Sequence, residues 1–102
     1  MARVFQLESG FHNENEEREK AFGENKYFIV RWNRETKRLV FCTLNSLFDG
    51  TKEQGSFWMT TAAHITEESA DKRYVCFETE SGTRYHLWQV GTIEVIKDHG
   101  CL

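Results

Sequence analysis

Cys76 and His86 are the two residues of this chain whose chemistry combines most readily. Facing each other across two strands, a thiol and an imidazole make half of a zinc site, or a nucleophile with its base. Zinc asks for about four N or S donors in a tetrahedron, so His64 or Cys42 would have to join from a neighbouring strand. A thiol nucleophile asks for an orienting third residue and an oxyanion site, and the sequence names neither. No closely spaced ligand pair of the CxxC or HExxH kind is present, nor a Gly-rich phosphate loop, nor Gly-x-Ser-x-Gly. A small apolar Cys packed beside a half-exposed His accounts for the pair more simply. Cys76 and His86 are therefore only weak metal candidates; no cofactor and no catalytic residue are assigned.

A second constellation is aromatic. Trp58, Tyr74 and Trp88, with Arg84 and His86, are the candidates for a ligand or interface surface. Such residues stack bases, nucleotides or methylated cations. They also dominate protein interfaces, and that reading has the greater weight here. The carboxylates Glu78, Glu80, Glu94 and Asp98 have no shared pocket to work in and read as surface charge.

Both constellations depend on one hairpin, residues 73–90, RYVCFETESGTRYHLWQV. Two runs of aromatic and β-branched residues flank Glu80-Ser81-Gly82, a loop that suits a type I turn closed by a left-handed glycine. Counting outward pairs Glu78 with Arg84, Phe77 with Tyr85, Cys76 with His86, Val75 with Leu87 and Tyr74 with Trp88. Val75, Phe77, Tyr85 and Leu87 then share a core face. The candidate chemistry falls on the other face, and a one-residue slip would exchange the two.

The remaining elements follow from alternation and turn residues. Residues 3–8 alternate as a half-buried strand does. Residues 11–25 are acidic and polar, with at most one short helix near 13–22, capped by Asn13 and stopped at Gly23. Residues 26–44 read as a second hairpin, with Trp32 opposite Leu39, Val30 opposite Phe41 and Phe28 opposite Thr43. Its other face, Tyr27, Ile29, Val40, Cys42 and Leu44, is apolar too. Strands apolar on both faces need cover on both sides, which either the 13–22 segment or a second copy would supply. Residues 45–56 read as loop and 56–65 as strand. TEESADK is a connection, the stretch after Gly91 is a last short strand, and His99–Leu102 a frayed tail.

About seven short strands in 102 residues predict one mainly β domain spanning residues 1–102. The architecture is a small antiparallel barrel or strongly bent sheet, SH3-like as the first guess, with an α+β sheet as the alternative. A net charge of −3 argues against a nucleic-acid partner. No apolar run is long enough for a membrane span. Three cysteines without an export signal suit a reducing, cytoplasmic setting. The function expected is that of a non-enzymatic protein-interaction module, self-associating as a homodimer through an aromatic sheet face, with a larger protein as a possible partner. The alternative is a small-molecule or nucleotide-binding domain built on the aromatic, Arg and His side chains.

Overall fold

The structure, a computed structural model, describes residues 1–8, 27–44, 56–95 and 100–102. Six strands occur in it: β1 (Ala2–Glu8), β2 (Tyr27–Trp32), β3 (Arg38–Thr43), β4 (Ser56–Glu68), β5 (Tyr74–Thr79) and β6 (Arg84–Ile93). Each pairs antiparallel with the next, and β1 pairs with β6, so the sheet closes into a barrel. The small antiparallel barrel is thus the architecture found, with strand neighbours sequential throughout. The segment expected as a 13–22 helix and the 45–55 loop lie outside the described residues.

Closure gives every strand an inner and an outer face. Phe5, Phe28, Val30, Leu39, Phe41, Ala63, Val75, Phe77, Tyr85 and Leu87 fill the interior and are buried. Phe28 and Phe41 meet edge to face at 5.5 Å, and Phe41 and Tyr85 lie 5.1 Å apart. Such aromatic pairs add about 0.5–1.5 kcal/mol each beyond area burial. Two buried threonines finish the hairpin end of this core. The Thr83 N–H donates to Thr79 Oγ1 at 3.2 Å, and the Thr79 N–H to Thr83 O at 2.9 Å. Gly82 takes φ +86, as the three-residue loop requires.

Both hairpin registers match the pairing expected from the sequence, residue for residue. Three expectations are corrected. Strand β4 runs to Glu68, not 65, because a bulge between Ile65 and Glu67 lets it bend and continue across an interruption of its alternation. The stretch after Gly91 is not a separate strand. Val90 bulges out between Gln89, opposite Phe5, and Gly91, opposite Val4, and β6 runs on to Ile93. Among the described residues there are six strands, where about seven were expected.

Residues 100–102 are also not frayed. The Trp32 N–H donates to Gly100 O and the Leu102 N–H to Val30 O, both at 2.9 Å, with Cys101 bridging to Arg31. The described pairs between β1 and β2 are Phe5–Phe28 and Gln6–Tyr27. Beyond Phe28, these last residues therefore occupy the edge of β2. Leu102 packs on the inner core, and Cys101 packs outside on Ala2, Ile29 and Cys42.

That outer cluster resolves the strands that are apolar on both faces. Among the described residues, Ala2, Ile93, Val95 and Cys101 cover Ile29, Val40, Cys42 and Leu44. The chain covers this face itself, with the start of β1, the end of β6 and residues that follow it, so this cluster gives no reason to invoke a second copy.

Leu102→Ala should cost about 1–2 kcal/mol in urea unfolding, because part of a Leu side chain leaves the core. Phe77→Ala, at the centre, should cost about 3–5 kcal/mol. An unchanged Leu102→Ala midpoint would contradict the closing role of the tail. In the β4–β5 turn, Asp71 Oδ1 accepts from the Ser69 hydroxyl at 2.6 Å and from the Arg73 N–H at 3.0 Å. These bonds, the Ser69 hydroxyl first, hold the Asp71 carboxyl below its usual range. Their stabilisation is complete above the unfolded value of about 3.9 and is lost as pH falls through the lower folded value. An NMR titration should find the Asp71 midpoint depressed, and Ser69→Ala should raise it.

Candidate functional site

The outer face of β5 and β6 carries four of the five expected residues, in an order set by the register. Tyr74 lies opposite Trp88, Cys76 opposite His86, and Glu78 opposite Arg84. The neighbouring strands extend these rows. His64 on β4 is opposite Glu78 and Glu67 opposite Cys76, while Gln6 on β1 is opposite Trp88 and Tyr27 on β2 opposite Gln6. One row, Tyr74–Trp88–Gln6–Tyr27, therefore crosses four strands on the outside of the barrel.

The aromatic pair at the head of this row is held firmly. The Tyr74 and Trp88 ring centroids are 4.4 Å apart, and the Tyr74 ring lies nearly parallel to His86. The Tyr74 hydroxyl and His86 Nδ1 share a hydrogen bond of 2.8 Å, its direction set by the imidazole tautomer. Trp88 and Tyr27 are each 46 % exposed, as is Val90 at the bulge two residues beyond Trp88. A large apolar side chain fixed by its neighbours yet open to water is costly to leave uncovered, since its burial is worth about 1.5–3 kcal/mol.

Two rows from the aromatic pair, past Cys76 and His86, lies a polar one. Arg84 Nε stands 3.9 Å from Glu78 Oε1, with both side chains partly exposed. At that distance and exposure the pair is worth no more than about 1 kcal/mol. It places both signs of charge on one face.

Cys76 and His86 do meet in register, each with a different hydrogen-bond partner. Cys76 is buried, and its S–H points at Phe77 O, 3.9 Å away. The His86 ring is engaged by Tyr74. Cys42 belongs to the outer cluster on β2 and β3. Among the described residues, no three or more His, Cys, Asp or Glu side chains converge as metal ligands. Burial pushes the Cys42 thiol up, against a smaller downward pull from Arg31 and together with a smaller upward push from Cys101.

Trp58 does not join the other four candidates. It pairs with Phe41 and packs against the inner core. Bulges in the β3–β4 pairing shift the alternation along β4, so its sidedness cannot be counted from sequence. Conversely, Tyr27 and Gln6 belong to the exposed row but were not expected there. The alternation of β1 puts Gln6 on the outer face. Its neighbours depend on the β1–β6 and β1–β2 pairings, which join distant segments and carry no turn signal.

No protein-family model, no curated protein and no solved structure matches this chain. Among the described residues, no helix is long and apolar enough to cross a membrane.

The three cysteines are free, and only Cys101 is more than marginally accessible. Under native conditions a neutral-pH thiol reagent should modify Cys101 first, with Cys42 and Cys76 following only on unfolding. Rapid labelling of Cys76 in the folded protein would mean that its burial is wrongly described and would reopen the Cys76/His86 pair as chemistry.

Proposed function

We propose that the protein is a non-enzymatic interaction module that self-associates as a homodimer through the outer face of β5, β6 and β1. The observation that carries this reading is the exposed row Tyr74–Trp88–Gln6–Tyr27, in which Trp88 is fixed against Tyr74 yet left 46 % open to solvent. Rigid Trp and Tyr side chains lose little entropy on docking and supply most of the energy at interfaces where they occur. Glu78 and Arg84, two rows further along the same face, add both signs of charge to it.

A convex barrel wall suits a macromolecular partner better than an enclosed small ligand. Side chains of the described strands fill the interior. The expected aromatic ligand pocket also loses one wall, because Trp58 lies on the inner core and not beside Trp88. A larger protein docking on the same face is the second reading. The setting that fits three unpaired thiols is a reducing one, consistent with the cytoplasm.

Sedimentation equilibrium should report a dimer. Trp88→Lys should weaken it by about 2 kcal/mol or more, roughly 30-fold in dissociation constant, as loss of a central Trp does. Met59→Lys, an equally exposed change on β4 opposite Val40, should leave the assembly unchanged. Equal association of wild type and Trp88→Lys would remove this face as the contact. A wild type that stays monomeric would turn the reading to a heterologous partner.

A further inference from the structure

The turn between β2 and β3 carries a feature that the aromatic face does not use. A cleft of about 550 Å³ opens beside it, lined by Arg31, Trp32, Arg34, Glu35, Val40 and Gly100 among others. That volume is within the usual range of about 300–1,000 Å³ for small-molecule sites. Its charge runs against the rest of the molecule. The chain has a net charge of −3, whereas the described lining of the cleft holds Arg31 and Arg34 against the carboxylate of Glu35.

The walls of the cleft are fixed by bonds within the protein. Asn33 Oδ1 accepts from the Glu35 N–H at 2.9 Å and the Thr36 N–H at 3.1 Å. The Lys37 N–H donates to Asn33 O at 2.7 Å, with Lys37 in the left-handed region at φ 64. Trp32 Nε1 donates to Lys37 O at 3.1 Å, and its ring packs edge-on against Phe77 in the core. Gly100 is tied to β2 by the Trp32 N–H. The backbone that carries Arg34 is thus in place before a ligand arrives.

Guanidinium groups offer planar forks of donors matched to phosphate oxygens. The cleft is far larger than a bare oxyanion needs, and Val40 and Trp32 give it apolar wall beyond the arginines. We propose that this cleft binds a small phosphomonoester, with Arg31 and Arg34 taking the phosphate and Val40 and Trp32 lining the space for its organic part. The site is separate from the aromatic face and stands or falls independently of it.

The test is an amide NMR titration of the full chain at constant ionic strength, with inorganic phosphate, adenosine monophosphate and glycerol phosphate as probes. Saturable shifts confined to residues 31–35, 40 and 100 are expected, with at least one ester binding more tightly than inorganic phosphate. Whichever ester binds more tightly tells a nucleotide source from a non-aromatic one. Arg34→Ala should weaken binding by about 10-fold, as loss of one charge-assisted contact does, and Arg34→Lys should restore part of it. Arg73→Ala, on the β4–β5 turn, should have no effect. Absence of saturation with all three probes would overturn the proposal. So would shifts spread evenly over every arginine, unchanged affinity in Arg34→Ala, or inorganic phosphate binding as well as both esters.

Discussion

Closure of the sheet between β1 and β6 is the constraint on which the rest of this structure depends. Seven residue pairs join the two strands, across a bulge at Val90. Without that seam the sheet would expose two edges and divide its apolar side chains between two open faces. With it, one set of side chains becomes an interior packed by Phe5, Phe28, Phe41, Phe77 and Tyr85, and every remaining side chain is turned outward. Whatever the protein does by contact is therefore done from its outer wall or from the turns at its ends.

The two hairpins were legible in the sequence because their information is local. A glycine able to take positive φ and a run of alternating side chains on either side fix the β5–β6 register. The polar turn between Trp32 and Leu39 fixes that of β2–β3. The faces followed from the registers, and with them the grouping of Tyr74, Arg84, His86 and Trp88. What could not be read is non-local or irregular. The β1–β6 seam joins residues some eighty positions apart in sequence. The bulges along β4 shift its alternation, which moved Trp58 to the inner side and hid three further residues of strand. The tail at 100–102 has no periodicity at all, and its place beside β2 comes from two backbone bonds and the fit of Leu102 against the core. That same tail helps to cover the apolar outer face of β2 and β3, for which the sequence alone offered the 13–22 segment or a second copy.

The outer wall then divides into regions with different physical character. Over β2 and β3 it is apolar and covered by the chain's own last residues. Over β5, β6 and β1 it is aromatic and open, centred on Trp88. At the β2–β3 turn it is cationic and concave. The proposed self-association draws on the second region, because rigid aromatics there stand open to solvent.

The most direct measurement is the accessibility of the Trp88 indole to a soluble paramagnetic relaxation agent, followed by NMR as the protein is diluted. If the face closes against a second copy, the Trp88 signal will be protected in concentrated solution and will broaden on dilution, while the amides of the β4–β5 turn broaden at every concentration. A Trp88 signal broadened equally at all concentrations would contradict the account.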